Sequence, residues 1–277
     1  MLQSNWSNPE IPSCFSTLTQ NKCLEIRSRG LNARFRMVFP RAGKTARDAV
    51  VRGSIKINAD YIVVATHHRK QKNTNATVIG STVDASVREA PASALVVKPC
   101  SEPVPVQGCK FLVALDPTPG ADAAFRRALA MAREGDSVTV LHVVHPVDID
   151  GQEVAQRLRQ KVEQIQMPHL DVSFRLVESH HIAETIMKCA KEIEAHVIVV
   201  GIEAEVSTGL HLGSVSDAIV RKSDCMVLAS QPAEMMGQSE EQLFKRRSCS
   251  TLQSKTLYFR LWPFGVAFTL CIVSFPG

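Results

Sequence analysis

Short apolar runs set between polar loops recur along this chain. The block ADYIVVA at residues 59–65 returns as AHVIVVG at residues 195–201. After a loop, each copy continues with a Gly-Ser step, at residues 80–81 and at residues 213–214. Each copy closes on a further apolar run, at Ala94–Val97 and at Met226–Ala229. Because continuous apolar runs of this length are typical of strands buried on both faces, the repeat predicts a strand, a loop, a helix and a second strand, present twice.

Strands and helices alternate between these two copies. The apolar periodicity predicts strands at Phe111–Leu115, Ser137–Val144 and Val172–Val177, and helices at Ala121–Glu134, Glu153–Gln166 and His181–Glu194. Such alternation requires a parallel sheet with right-handed crossovers. The fold class is therefore predicted to be α/β, with an open parallel five-stranded sheet and helices on both of its faces.

The first copy is shorter than the second. Upstream of residue 59 the sequence predicts only a strand at Arg34–Phe39 and a helix at Gly43–Ser54. The run FRMV at Phe35–Val38 corresponds to FRLV at Phe174–Val177, so nothing in the first copy matches residues 111–166. Without those two strands and two helices, the first copy cannot cover both faces of its own sheet. We predict that it is a truncated copy or one that relies on a surface of the second.

This pattern divides the chain into five segments. Pro99, Pro103 and Pro105 predict a stiff linker between the two copies. The segments are a poorly ordered leader at 1–33, a truncated unit at 34–99, the linker at 100–109, a complete unit at 110–230 and a partly apolar tail at 231–277.

Composition narrows the classes of function. The chain has 277 residues, which suits one or two domains, and its net charge of +5 comes from scattered basic residues. With two Trp and two Tyr, it has no basic run interleaved with aromatic residues, so we expect no nucleic-acid partner. The eight cysteines form no CxxC pair and no Cys-His spacing typical of zinc, so we expect no bound metal. Residues 1–30 lack the apolar segment of a secretory signal, which favours a cytoplasmic location.

The tail raises a membrane hypothesis. Leu261–Pro276 contains no charged residue. A membrane span needs about 20 residues, however, and Pro263 and Gly265 interrupt this shorter run. We therefore do not expect a membrane partner. A disordered or non-native extension accounts for the tail equally well, and a membrane-tethered interaction protein is kept as an alternative.

The second copy resembles the universal stress protein family. Its first strand ends in Asp116, its second strand reads Leu141-His142-Val143, and the helix DAIVRKSDC precedes its last strand. The family's signature is a Gly, two residues, a second Gly and, further on, Gly-Ser or Gly-Thr. The resemblance covers residues 110–230 fully and residues 34–99 in part. It implies a flavodoxin-like, adenine nucleotide alpha hydrolase-like fold, duplicated here with the first copy incomplete.

The resemblance also implies a nucleotide site in the second copy. In ATP-binding members, the Asp of the first strand and the Val of the second contact the adenosine, and the glycines with the Gly-Ser step hold the phosphates. Backbone N–H groups at a helix start suit an anion for independent reasons. The expected cofactor is ATP, with Mg²⁺ only as its companion. Carried onto this chain, the implied residues are Asp116, Val143, Gly201, Gly213, Ser214 and Val215.

Departures from the signature weaken this expectation. Ala204 replaces the second Gly, and the flanking Glu203 and Glu205 would repel a triphosphate. An Ala where φ must be positive costs about 1 kcal/mol or more. In the first copy, Ala65 and His68 replace both glycines. The second copy is therefore predicted to bind nucleotide weakly or not at all, and the first to bind none.

Several of these residues also have a structural interpretation. Asp116 can cap the turn that follows its strand, and Ser214 can be the N-cap of its helix. Asp84 and Asp217 sit in first turns, where a carboxylate favours the helix dipole. His142, inside an apolar strand, is typical of a buried histidine with a satisfied hydrogen bond.

Two classes of function follow. The first is a non-catalytic stress-response protein of the universal stress type, whose two copies pair through their last strands as a pseudo-dimer, or which forms a homodimer in the same way. The alternative is a weak ATP hydrolase or nucleotide-dependent enzyme on the same fold. For that enzyme, His211 and Glu205 are the groups closest in sequence to Ser214 that could position a water.

Overall fold

The computed structural model describes part of the chain. Residues 43–66, 79–98, 107–165, 167–203 and 212–232 are described with their side chains, together with the isolated residues 24, 28 and 105. The backbone alone is described for residues 32–35, 204–205, 209–211, 256–260 and 270–274. Most of the predicted leader, linker and tail lies outside these ranges, so those domain boundaries stay predictions.

The elements alternate for most of the chain. In order they are β1 (Asn32–Phe35), α1 (Ala46–Lys56), β2 (Tyr61–Ala65), α2 (Ser81–Arg88), β3 (Ser93–Val97), β4 (Lys110–Ala114), α3 (Pro119–Met131), β5 (Ser137–Val144), α4 (Gly151–Glu163), β6 (Asp171–Glu178), α5 (Ile182–Glu192), β7 (Val197–Gly201), β8 (Glu203–Glu205), β9 (Gly209–His211), α6 (Ser214–Lys222), β10 (Met226–Ser230), β11 (Thr256–Arg260) and β12 (Leu270–Ser274). Within the described ranges, no helix is long and apolar enough to cross a membrane.

Five parallel strands form the sheet of the second half, residues 110–232. Their order is β10-β7-β4-β5-β6, with β4 in the middle. On β4, Leu112 lies opposite Thr139 of β5 and Ile198 of β7. The predicted α/β fold with an open parallel sheet is therefore confirmed, and the predicted elements differ from the observed ones by a few residues at their ends.

The two halves join through their last strands. β10 pairs antiparallel with β3, with Leu228 opposite Leu95, and β3 pairs parallel with β2. This is the strand pairing that the sequence predicted, and it makes one sheet across both halves. The sheet is consequently wider than the predicted five strands, because β3 and β2 extend it to seven. The homodimer and the duplication itself stay predictions.

Three further strands extend the sheet beyond β2. β12 pairs antiparallel with β2, β11 pairs antiparallel with β12, and β1 pairs parallel with β11, giving ten strands in all among the described residues. The sequence analysis assigned no element to the tail, so the strands at residues 256–260 and 270–274 were not anticipated. It also predicted the first strand at Arg34–Phe39, whereas β1 begins at Asn32.

Helices cover the two faces of the sheet unequally. One face is covered along both halves: Val50 of α1 and Val83 of α2 share an apolar cluster with Ile186 of α5 and Ile219 of α6. On the opposite face, the corresponding cluster is built from α3 and α4 of the second half. The second half thus has helices on both faces, whereas in the described part of the first half, α1 and α2 both pack on one face.

Local sequence determines where several helices begin. At α1, Thr45 and Asp48 form a capping box in which the Asp48 carboxylate accepts from the Thr45 N–H at 2.8 Å. This hydrogen bond lowers the pKa of Asp48. At α3, Thr118 is the N-cap and Pro119 is the first helical residue, where its fixed φ suits the helix and no N–H is lost.

Candidate functional site

The carboxyl edge of the second half contains a topological switch point. From β4 the chain leads through α3 to β5 on one side, while β7 lies on the other side of β4. In open α/β sheets, ligands bind at this kind of crevice, outside the carboxyl ends of the two strands. Asp116 follows β4 and Gly201 ends β7, so two of the predicted residues lie at this position.

Asp116 organises the turn between β4 and α3. Its Oδ1 accepts hydrogen bonds from the N–H and the hydroxyl of Thr118, at 2.9 and 2.5 Å. Thr118 in turn accepts from the N–H of Ala121 at 3.2 Å. The structural interpretation of Asp116 is therefore confirmed: it holds the residue that caps α3. The Asp116 residue is also exposed to solvent.

Gly201 is required by the packing of the fold. A Cβ on Gly201 would lie 2.3 Å from the carbonyl carbon of Gly120 and 2.5 Å from the nitrogen of Ala121. A Cβ on Gly120 would in turn lie 2.5 Å from the carbonyl oxygen of Ile202. The close approach of β7 to the start of α3 therefore accounts for both glycines, and Gly201 needs no ligand to explain it.

Gly213 differs from Gly201 in this respect. It is the N-cap of α6, its φ of −55° is ordinary for any residue, and a Cβ there would meet nothing within 4 Å. No side chain caps this helix start, and Ser214 is its exposed first residue. The interpretation of Ser214 as the N-cap was therefore wrong. The Ser216 hydroxyl donates to the carbonyl oxygen of Gly201 at 3.1 Å. This hydrogen bond holds the first turn of α6 next to the carboxyl end of β7.

The segment between β7 and α6 is a hairpin. β8 and β9 pair antiparallel, with Ala204 opposite Leu210 and Glu203 opposite His211. Ala204 is thus in extended backbone, where no positive φ is needed. The predicted penalty for Ala at this position does not arise, because the chain has a different conformation there. The side chains of Glu205 and His211 lie outside the described part of the structure.

Partly exposed apolar side chains lie at the same edge of the sheet. Val143 near the end of β5 and Val215 in the first turn of α6 both pack against one cluster of the core. Ala114 at the end of β4 and Val177 near the end of β6 border that cluster as well. These side chains are only partly buried, so apolar surface is accessible near the carboxyl ends of β4, β5 and β6.

Three histidines near this edge, His142, His145 and His180, have partners within the fold. His142 is buried and donates from Nδ1 to the carbonyl oxygen of Leu115 at 2.8 Å, which confirms its predicted role in the core. His180 pairs with His145 rather than with its neighbour His181, and the Nδ1 and Nε2 atoms of the pair are 3.4 Å apart. No group of three or more metal-ligating side chains occurs within the described residues.

The sequence analysis missed a charged cluster between α2 and α6, at the place where β3 and β10 join the two halves. On α2, Arg88 donates to Asp84 at 3.0 Å and to Asp217 of α6 at 2.5 Å. On α6, Arg221 donates to Asp217 at 2.7 Å and approaches Asp84 at 3.5 Å. The hydrogen bond with Asp217 raises the pKa of Arg221. The carboxylates of Asp84 and Asp217 therefore face arginines as well as the helix dipole. The only signal of this cluster in the sequence is that Asp and Arg have the same spacing in both copies.

Comparison with known proteins agrees with this geometry. In a universal stress protein of Pseudomonas aeruginosa UCBPP-PA14, the similar region covers 84% of this chain and 82% of that one, with a TM-score of 0.60 and 13% identity. A universal stress protein from Archaeoglobus fulgidus DSM 4304 gives a TM-score of 0.58 at 18% identity, covering 83% and 84% of the two chains. At these identities, the likeness establishes the fold.

The class of protein is thus an α/β protein with a mostly parallel sheet and a topological switch point at the carboxyl edge of its second half. The sequence model of the universal stress protein family matches residues 110–231. These residues therefore form a universal stress protein domain, and through it the chain is universal stress protein-like. No curated protein sequence matches the chain.

Proposed function

We propose that this chain is a non-catalytic, cytoplasmic stress-response protein whose second half keeps a weak site for an adenine nucleotide. The observation that carries the proposal is the start of α6. Gly213 has no steric reason within the fold to be glycine, and no side chain caps the helix beside it. An uncapped helix start with an open glycine is the backbone arrangement that accepts a phosphate.

The neighbouring groups fit the remainder of the ligand. The N–H groups of Ser214 and Val215, with the Ser214 hydroxyl, would hold a phosphate. The exposed oxygen atoms of Asp116 suit the hydroxyls of a ribose, and the apolar surface at Val143 suits the base. Mg²⁺ would bind together with the phosphates, without a set of protein ligands of its own.

The same edge also supports weak rather than tight binding. The β8–β9 hairpin replaces the glycine turn that would surround the outer phosphates, so the α6 start is the source of free backbone donors on which the proposal relies. Glu203 is exposed on that hairpin, and its carboxylate would repel a triphosphate. We therefore expect adenosine monophosphate to bind at least as well as ATP.

Gly213→Ala is the sharpest test of the site. Titration calorimetry with ATP and with adenosine monophosphate should show affinity reduced at least about tenfold, because the new methyl group occupies the space in front of the helix start. The free energy of unfolding should stay within about 0.5 kcal/mol, since φ is ordinary there.

Gly80→Ala is the matched control for that variant. Gly80 is the N-cap of α2, has a φ of −62°, and a Cβ there would also meet nothing within 4 Å. This change in the first half should alter neither stability nor nucleotide affinity. Nucleotide binding that survives in Gly213→Ala, or that is lost in Gly80→Ala, would rule out the proposed site.

Turnover measurements distinguish the binding protein from the weak hydrolase. The purified chain should release no phosphate from ATP above the background of a mock purification. Turnover that Asp116→Ala abolishes would support the enzyme instead. Asp116→Asn is the accompanying control, because its Oδ1 can still accept from Thr118 and so keeps the turn.

A further inference from the structure

One edge of β2 would be open without the C-terminal segment. On one side β2 pairs with β3, from Tyr61 opposite Ser93 to Ala65 opposite Val97. An unpaired strand edge exposes a row of N–H and C=O groups that readily pairs with another strand. In the structure this edge is occupied by β12, with Ile272 opposite Ile62 and Val273 opposite Tyr61.

The order of the outer strands matches that of the complete half. From the joint outward, the second half reads β10-β7-β4-β5-β6, and the first half reads β3-β2-β12-β11-β1. β12 and β11 thus occupy the positions that β4 and β5 occupy in the second half. We infer that the chain's own residues 256–260 and 270–274 close the edge of β2, β12 directly and β11 through β12, and supply the two strands that the first half lacks.

The direction of β12 distinguishes this completion from a second copy of the domain. β4 runs parallel to β7, whereas β12 runs antiparallel to β2. A parallel pair of neighbouring strands needs a connection of about a dozen residues or more, and the link from Arg260 to Leu270 is shorter than that. β11 and β12 are therefore antiparallel to each other, whereas β4 and β5, whose positions they occupy, are parallel. One of the two strands must consequently run in the opposite direction to its counterpart.

The reversal has a consequence for ligand binding. Cys271 lies opposite Val63 and Val273 opposite Tyr61, so β12 begins, rather than ends, at the carboxyl edge of β2. No residue after β12 can therefore take the position that Asp116 takes after β4. The segment restores the sheet of the first half without restoring the crevice, and this inference is independent of nucleotide binding in the second half.

The composition of the two strands suits this role. TLYFR at 256–260 and LCIVS at 270–274 are rich in the aromatic and β-branched residues that favour strands. An apolar segment paired with β2 cannot simultaneously insert into a membrane. The inference therefore opposes the membrane-tether alternative and can be tested against it.

Hydrogen exchange at the β2 amides tests the inference. In a variant lacking residues 251–277, exchange of those amides within Tyr61–Val63 that face β12 should accelerate at least about tenfold, whereas the β2 amides that face β3 stay paired. Ile272→Pro, which keeps the chain length but disrupts β12, should act in the same direction. Ala267→Pro, in the link between β11 and β12, is the matched control and should leave β2 unchanged. The amides of β5 should keep their protection in every variant.

Adding the segment back in trans completes the test. A synthetic peptide of residues 251–277 should restore protection of β2 in the truncated chain, and the same peptide with Ile272→Pro should not. Unchanged β2 exchange after truncation, or loss of protection in β5 as well, would overturn the inference. So would binding of the full chain to phosphatidylcholine–phosphatidylglycerol vesicles that requires residues 251–277 and leaves β2 protected.

Discussion

The two halves of the sheet are paired symmetrically but covered asymmetrically. Where they meet, Leu228 of β10 lies directly opposite Leu95 of β3. Leu228 is fully buried under α3, whereas Leu95 is partly exposed on the same face. α3 does reach into the first half, where the Arg127 guanidinium lies 5.4 Å from the centre of the Tyr61 ring. Strand pairing thus joins the halves, and helix cover decides how much each contributes to stability.

The largest expected effect comes from truncating that central leucine pair. Leu228→Ala should reduce the free energy of unfolding by about 3 kcal/mol, because it leaves a cavity in a closed core. Leu95→Ala should cost about 1 kcal/mol, because its side chain already contacts solvent. Urea denaturation of the two variants measures the difference. Equal losses would mean that β10 and β3 are covered to the same extent on this face of the sheet.

High pH should destabilise the core of the second half, in which Cys109 is buried. Burial, with Asp136 nearby, raises the pKa of the Cys109 thiol from 9.0 to about 11. Between these values the unfolded chain has lost the proton while the folded chain keeps it. The free energy of unfolding should therefore fall by about 2 kcal/mol as the pH rises from 9 to 11, and should be unaffected by this thiol below pH 9.

Cys109→Ala isolates this contribution. Lysines and tyrosines also titrate in this range, so the quantity to measure is the difference in pH dependence between the parent and the variant. A variant that loses stability with pH as steeply as the parent would show that the thiol contacts solvent in the folded state. Unfolding followed at pH 8 gives the reference for both proteins.

The smallest effect tests the symmetry of the charged cluster. A double-mutant cycle on Arg88 and Asp217 should give a coupling energy of about 0.5–1 kcal/mol, since both side chains are roughly two-thirds buried. The related pair, Arg221 and Asp84, is 3.5 Å apart and should couple by about 0.3 kcal/mol or less. Added salt should weaken both couplings. A stronger second pair would reverse the order given by the distances.

Most of the fold could be predicted because its signal is local. Continuous apolar runs located β2, β3, β7 and β10, and the repeated block paired the correct last strands. The hairpin could not be predicted, since β8 is three residues long with Glu203 and Glu205 at its ends and shows no apolar pattern. β11 and β12 were missed because their pairing depends on an edge of β2 distant in the sequence.

The candidate site was predictable only in part, for a similar reason. The family's motif selected both Gly201 and Gly213, and sequence alone assigned them one role. The structure separates them: Gly201 is constrained by the backbone of α3, and Gly213 has open space before it. The contact of Arg88 with Asp217 was out of reach, because it exists only once β3 and β10 are side by side.

The position of β11 and β12 also affects the order in which the chain can fold during its synthesis. Domains generally fold from the amino terminus as they leave the ribosome. Here the strands that complete the amino-terminal half lie at residues 256–260 and 270–274, after every strand of the carboxyl-terminal half. The carboxyl-terminal half can close as soon as β10 has emerged. The half that is made first is therefore finished after the second half, and its β2 edge is open to other strands until β11 and β12 have been made.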